Sequence, residues 1–168
     1  MPRSPLALVA CVAVALVGCG DDGDGGESEG QSGARAAYIR SADAFCAESN
    51  RRLAPLQARA REAGAGATTR EAAIRAAAPV LEEANRARSR LLVQFRAIEP
   101  PAEDRRTIRT LLEAYDEENA VFESYAAAAR RGDFEAFSAR QAELQRLVAR
   151  VHELAADYGF ESCGGGAQ

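Results

Sequence analysis

Apolar side chains recur at three- and four-residue steps from residue 35 to residue 158, which is the period of an α-helix. The pattern divides into four segments, at about residues 35 to 63, 69 to 98, 101 to 131 and 134 to 158. None of them alternates apolar and polar residues as a half-buried strand would. The spacing therefore predicts an all-α domain of four helices.

Glycine and proline follow the end of each segment. Gly64-Ala65-Gly66 follows the first, Pro100-Pro101 follows the second, and Gly132 and Gly159 follow the third and fourth. Both residue types interrupt helices and favour turns. Because every connection is short, the pattern predicts an antiparallel, up-down-up-down four-helix bundle.

Polar residues at the predicted helix starts fit N-terminal caps. Thr68 and Glu71 match a capping box for the second helix, and Asp133 can cap the fourth. Pro55 and Pro79 fall inside the first and second helices. Each should bend or divide its helix, because proline lacks the N–H that an interior position donates.

The balance of charge limits the partners that we expect. All 21 basic residues are arginine, and 25 residues are acidic. Arg3 lies in the signal described below and five acids lie between residues 21 and 29, so residues 34 to 168 carry 20 charges of each sign. A neutral body with interspersed charges has no electrostatic footprint for nucleic acid.

The first 19 residues have the features of an export signal. Arg3 supplies one positive charge, and residues 6 to 17 form an unbroken apolar run of twelve residues. A bilayer span needs about 20 apolar residues, whereas the apolar part of a signal peptide is shorter. The run ends in Leu16-Val17-Gly18-Cys19, which resembles the lipobox of bacterial lipoproteins.

The lipobox resemblance implies a cellular location for the protein. In lipoproteins the cysteine sulfur receives a diacylglycerol and the signal is cut just before it, so residues 1 to 18 would be the signal peptide. Cys19 would then hold the protein at the extracytoplasmic face of the cell membrane. An ordinary secretory signal, with Cys19 incidental, is the alternative. Residues 20 to 33 contain six glycines and no apolar side chain, so we expect residues 19 to 34 to be a flexible acidic tether.

Two cysteines remain in the expected mature protein, Cys46 and Cys163. Cys163 lies in a short segment after the fourth helix, residues 159 to 163, which we call the hook. The start of the first helix and the end of the fourth lie at the same end of such a bundle, and an exported protein can form disulfides. We expect a disulfide; two free thiols or a redox-active pair are the alternatives.

Few residues suggest catalysis or metal binding. His152 is the only histidine, and we expect it to be structural. Four acids of the third helix could hold a cation, but their spacing is more typical of a solvated face: Glu113, Asp116, Glu117 and Glu118. We therefore expect no metal, no cofactor and no enzymatic activity.

Three asparagines on or beside the apolar stripes should lie at similar heights in the bundle. At 1.5 Å per residue, Asn50, Asn85 and Asn119 fall within about one helical turn of each other, and Gln141 or Arg88 could join them. The layer could fix the register of the helices. Alternatively it could be the polar floor of a ligand pocket, in which case replacing Asn85 by leucine would abolish binding.

The helical body, residues 35 to 163 with a flexible tail at 164 to 168, suggests two functions. Three local features resemble those of uncharacterised secreted helical lipoproteins of actinobacteria, a likeness that implies no activity. They are the Phe45-Cys46 pair, the Ile-x-Pro-Pro turn at residues 98 to 101 and the Arg-Gly-Asp-Phe turn at residues 131 to 134. We first expect a non-enzymatic module or scaffold that binds an envelope protein, and second a small-ligand-binding lipoprotein. An exposed apolar patch would favour the first function, and a polar cavity between the helices the second.

Overall fold

A computed structural model describes residues 25 to 163, with side chains from Gly30 onward. It confirms the predicted all-α four-helix bundle. The helices are α1 at Gly25–Gly64, α2 at Arg70–Arg96, α3 at Arg105–Arg131 and α4 at Phe134–Tyr158, and a 3-10 turn at Ala102–Asp104 precedes α3. The predicted signal, Cys19 and the tail at 164 to 168 lie outside the described residues.

The first helix begins earlier than predicted. It starts at Gly25 rather than near residue 35, so residues 25 to 34, which we expected to be a flexible tether, are helical. Residues 30 to 37 are exposed, and among the side chains described from residue 30 onward Tyr38 is the first that is buried. The apolar pattern located the packed part of α1, but a helix can continue beyond its packed part because propagation costs far less than nucleation.

The predicted residues are found at both ends of α4 but not at the start of α2. Asp133 caps α4 by accepting the Ala136 N–H at 3.0 Å, and α4 ends at Gly159 in the left-handed region. The capping box was misplaced by one residue. Thr69, not Thr68, caps α2, and its hydroxyl oxygen accepts the Ala72 N–H at 3.1 Å.

Gly132 allows α2 and α3 to be joined closely at the end of α3. Its φ of 68° favours glycine, and a Cβ there would collide with the guanidinium of Arg75. That guanidinium donates to the Arg131 carbonyl oxygen, at 3.1 Å from Nη2. The glycine therefore ends α3 and also leaves room for a contact from α2.

The two interior prolines do not divide their helices. α1 runs through Pro55 and α2 runs through Pro79. Both prolines are exposed, and so are Arg51 and Arg75, the residues whose carbonyl oxygens lose a helical donor, so water can replace that donor.

Packing between the helices is uneven around the bundle. α1 packs on α2, α2 on α3 and α3 on α4, whereas the backbones of α1 and α4 stay apart over almost their whole length. We call the end that carries the hook the hook end, and the opposite end, with the α1–α2 and α3–α4 connections, the turn end. The gap between α1 and α4 runs from the hook end to the turn end.

Large side chains fill the core at the hook end. Tyr38 contacts Tyr158 and Phe160, with ring centroids 6.0 and 5.9 Å away. Ile108 and Leu111 of α3 are each only 2% exposed within the same cluster. At the turn end the buried cluster consists mainly of small side chains: Ile74, Ala77, Ala78, Leu81, Ala126 and Ala129.

The hook is fastened to α1 by a disulfide and by a carboxylate. Cys46 and Cys163 form the expected disulfide, with Cα atoms 5.0 Å apart. The Asp43 carboxylate accepts the backbone N–H groups of Glu161, Ser162 and Cys163, at 2.7 Å from Ser162. These contacts join α1 and α4 at the hook end, although the two helices do not pack closely.

Candidate functional site

A cavity of about 290 Å³ lies in the gap between α1 and α4, with α2 and α3 as its floor and the Cys163 side of the hook at one end. We call it the polar cavity, because its lining includes seven polar side chains: Ser49, Asn50, Gln57, Arg88, Glu118, Asn119 and His152. Its volume is near the lower end of the range for small-molecule sites.

The structure brings together only part of the predicted polar layer. Asn50, Asn119 and Arg88 line the polar cavity. Asn85 does not, and Gln141 is exposed on α4, so the expectation that Gln141 joins the layer is wrong. Height along a helix could be counted from the turns, whereas the direction of each side chain around its helix depends on how the helices pack.

Asn85 and Asn119 are linked through a serine that the sequence analysis missed. The Asn119 Nδ2 donates to the Ser89 hydroxyl at 3.1 Å, and that hydroxyl donates to the backbone carbonyl oxygen of Asn85 at 3.0 Å, so the Asn85 side chain itself takes no part. This chain of hydrogen bonds joins α3 to α2 and holds the Asn119 amide in one orientation.

A buried ion pair crosses the floor of the cavity. The Arg88 guanidinium donates to the Glu118 carboxylate, and the side chains are 23% and 7% exposed. Arg88 also lies over the Phe122 ring, 4.9 Å from its centroid. Truncating one partner of such a pair is strongly destabilising, because the other charge is left buried and uncompensated.

Glu118 corrects the prediction that the acidic residues of α3 form a solvated face. Glu113, Asp116 and Glu117 are exposed as expected, but Glu118 is buried. The signal was present in the sequence, because Glu118 follows Leu111 by seven residues and Ala114 by four and therefore lies on the buried stripe of α3.

Two polar atoms on this wall have no hydrogen-bond partner among the described residues. They are Arg88 Nε, a donor, and Asn119 Oδ1, an acceptor, and both are buried. The Asn85 Oδ1 is also buried and unpartnered, but its residue does not line the cavity. Buried polar atoms normally have partners, so leaving these atoms unpaired costs free energy, and their lack of accessible surface keeps them out of reach of a molecule in the cavity.

Hydrogen bonds from the cavity wall also hold the hook. The Tyr115 hydroxyl donates to the Cys163 carbonyl oxygen at 2.5 Å, and Asn50 Nδ2 donates to that of Ser162 at 3.2 Å. Burial, and next the charge of Glu118, raise the pKa of Tyr115 well above its ordinary value. The phenol therefore remains a donor at neutral pH.

His152 is exposed and stands at the edge of the cavity. Within residues 25 to 163, no group of three or more His, Cys, Asp or Glu side chains could hold a metal ion. The lining thus combines a compensated ion pair with amide and hydroxyl groups, an arrangement suited to hydrogen bonding with an uncharged molecule.

A second cavity, of about 530 Å³, lies beside the first toward the turn end. We call it the apolar cavity. Its lining contains one charged side chain, Arg61, and Gln57 lines both cavities; the large aliphatic and aromatic side chains of the lining are Leu56, Ile74, Leu81, Phe122, Tyr125 and Phe137. Alanines occupy much of the remaining wall on α1 and α2, which explains why the space is not filled.

The described outer surface is mostly polar. Val93 is the one large apolar side chain exposed among the described residues, at 67%. Ion pairs link neighbouring helices at the surface, such as Arg59 with Glu83 and Arg150 with Glu117. None of the described helices combines the length and hydropathy that crossing a membrane requires.

Comparison of the chain with protein-family models, with curated proteins and with solved structures finds no match. The site's own geometry and chemistry therefore carry the functional argument.

Proposed function

We propose that this protein is a small-ligand-binding lipoprotein, anchored through Cys19 to the extracytoplasmic face of the cell membrane, and that the polar cavity is its ligand site. The proposal rests chiefly on one observation. The gap between α1 and α4 holds a concave cavity in which amide and hydroxyl side chains lie among apolar ones such as Leu53, Leu91 and Val148. A few polar groups among apolar side chains can fix the orientation of a small molecule while the apolar lining binds the rest of it.

The surface favours this function over a protein-interaction module. A stable protein interface needs an apolar centre, and the described surface offers only Val93 as a large exposed apolar side chain. The side of the bundle where α1 and α4 stand apart provides a concave site instead. Concave sites with a few convergent polar groups are typical of ligand binding.

Blocking the cavity tests the proposal. Val148 lines the polar cavity on α4, and its neighbour Ala149 is exposed and does not line it. We expect 1-hexanol and hexanamide to show saturation-transfer NMR signals with the wild type and with Ala149→Trp, but not with Val148→Trp. Circular dichroism would establish that both variants are helical. Absence of binding to the wild type, or undiminished binding to Val148→Trp, would refute the ligand site.

The membrane anchor has a separate test. Mass spectrometry of the native protein should find the peptide that begins at Cys19 with added acyl mass. Cys19→Ser should release the protein from washed membranes, because loss of the acyl chains removes about 0.8 kcal/mol of membrane affinity per CH₂. A Cys19→Ser protein as firmly attached as the wild type would contradict the anchor.

A further inference from the structure

The apolar cavity is a second candidate site, separate from the polar cavity. Its volume of about 530 Å³ lies within the range of sites that enclose drug-sized molecules. The two cavities share only Gln57 among their lining residues, so a substitution elsewhere can fill one cavity and leave the other unchanged. The apolar cavity can therefore be tested independently of the ligand site proposed above.

Two different walls form the apolar cavity. On α3 and α4 it is lined by the aromatic rings of Phe122, Tyr125 and Phe137. The rings of Tyr125 and Phe137 are stacked, with centroids 4.1 Å apart, and the centroids of Phe122 and Tyr125 are 5.7 Å apart. The lining from α1 and α2 is largely small and aliphatic, and it includes four alanines: Ala60, Ala73, Ala77 and Ala84. The aromatic wall favours a ring that can stack on it, and the alanine wall leaves the space for that ring.

The charge of the lining favours an uncharged molecule. The lining contains no acid, and its one basic side chain, Arg61, is exposed. Burial raises the pKa of Tyr125, so this phenol carries no charge at neutral pH. A cation that entered would lose its hydration and find no acid to replace it. An anion would gain little from Arg61, because exposed charges are hydrated and screened.

The size of the apolar cavity favours a small molecule over a polypeptide segment. A helix with its side chains is about 10 to 12 Å across, so a single turn takes up about 400 to 600 Å³. The cavity thus has room for about one turn, which is far less than the interface of a stable protein complex. A flat molecule of two or three rings fits within the same volume.

We propose that the apolar cavity binds an uncharged, flat aromatic molecule of two or three rings. The ligand stacks on the wall formed by Phe122, Tyr125 and Phe137 and faces the alanines of α1 and α2. Occupancy removes the apolar lining from water, and this burial of apolar area favours binding.

A fluorescent probe, N-phenyl-1-naphthylamine, tests the site. It is uncharged at neutral pH, its emission rises on transfer from water to an apolar site, and the chain has no tryptophan that would interfere. We expect the wild type to bind the probe saturably. Ala60→Phe should weaken binding by at least about tenfold, because the added ring takes up area that the probe would bury.

Two control variants locate the binding. Ala63→Phe adds the same ring at an exposed position of α1 outside the lining, and Val148→Trp blocks the polar cavity. Both should bind the probe within about twofold of the wild type, since distant sites act independently. Circular dichroism would establish that each variant is helical.

A measurement on the wild type does not depend on how any variant folds. In NMR spectra recorded with naphthalene, intermolecular NOEs should connect the ligand with the methyl groups of Ala77 and Ala84 and with the ring of Phe137. NOEs only to residues outside the lining would contradict the site.

Three competitors, used below their solubility limits, test the class of ligand. 1-Naphthylmethylammonium should displace the probe at least about tenfold less well than 1-ethylnaphthalene, which has the same shape without the charge. 1-Hexanol should also displace the probe less well than 1-ethylnaphthalene. It has no ring to stack on the aromatic wall, and its hydroxyl would give up water in an apolar site.

Each outcome supports or overturns the proposal. Absence of saturable binding to the wild type, wild-type affinity in Ala60→Phe, or an equal loss in Ala63→Phe overturns the site. Loss of binding in Val148→Trp alone would place the probe in the polar cavity and overturn it as well. If the cation or 1-hexanol competes as well as 1-ethylnaphthalene, the uncharged aromatic class is wrong.

Discussion

At the hook end, α1 and α4 are joined by the Cys46–Cys163 disulfide, by the Asp43 carboxylate and by the rings of Tyr38, Tyr158 and Phe160. At the turn end the same two helices face each other across the apolar cavity. The same four helices run through both ends. What differs is the volume and chemistry of the side chains at each height.

The contrast shows how a bundle can hold its shape and still contain an open site. Alanines such as Ala77 and Ala84 are buried and line the apolar cavity, but their small side chains do not fill it. The covalent and aromatic contacts at the hook end hold the bundle together. We therefore expect stability to depend mainly on the hook end and ligand binding mainly on the gap beyond it.

The largest expected effect comes from cutting the link at the hook end. Cys46→Ala with Cys163→Ala removes a cross-link between residues 117 apart in sequence. In the chain-entropy account this lowers the free energy of unfolding by about 4 to 5 kcal/mol. Urea unfolding of the variant and of the oxidised wild type measures this loss of free energy. A loss below about 1 kcal/mol would mean that the remaining contacts hold the hook unaided.

A pair of identical substitutions compares the two cores directly. Leu111 is 2% exposed at the hook end, whereas Leu81, at 8%, borders the apolar cavity. Leu111→Ala should cost about 3 to 5 kcal/mol of unfolding free energy, and Leu81→Ala about 2 to 3, because a side chain beside an existing cavity loses fewer contacts. Equal costs in urea unfolding, or the reverse order, would contradict the contrast.

Alkaline pH should weaken the hook end by a smaller amount. Burial, and next the charge of Asp104, raise the pKa of Tyr38 from 10.0 to about 12. The unfolded chain thus loses this proton near pH 10 while the folded state keeps it. The stabilising contribution of the Tyr38 phenol to the free energy of unfolding is therefore complete below pH 10, and it declines as pH rises toward 12.

At pH 11 this effect of Tyr38 should amount to about 1 kcal/mol. Tyr38→Phe should reduce the loss of unfolding free energy between about pH 8 and pH 11 by that amount. Phe137→Leu, at the turn end, removes no ionisable group and should leave the pH dependence unchanged. An unchanged dependence in Tyr38→Phe would show that the phenol does not contribute.

The sequence predicted most of the fold because helix periodicity and turn residues are local signals. The four helices, the Asp133 cap and the ends at Gly132 and Gly159 are as predicted, and the disulfide followed from the topology. The start of α1 was missed because exposed residues that extend a helix leave no apolar period to read. Each proline was expected to bend or divide its helix, and division is excluded because α1 and α2 continue through Pro55 and Pro79.

The site was predicted less completely. Asn50, Asn119 and Arg88 were expected near one height, and they do line one cavity. Gln141 points outward, and Glu118, which carries the compensating charge, was assigned to the surface. The apolar cavity could not be predicted, because it depends on how far α1 stands from α4, and that distance is set by packing at every level of the bundle at once.

The bond between Cys46 and Cys163 also closes a covalent ring that contains the last part of α1, all of α2, α3 and α4, and the hook. Tension applied between the chain before Cys46 and the chain after Cys163 would pass through two sulfur atoms and leave the ring unloaded. A single proteolytic cut within the ring would likewise release no fragment. Under either load, residues 46 to 163, which form most of the walls of both cavities, would stay in one connected piece.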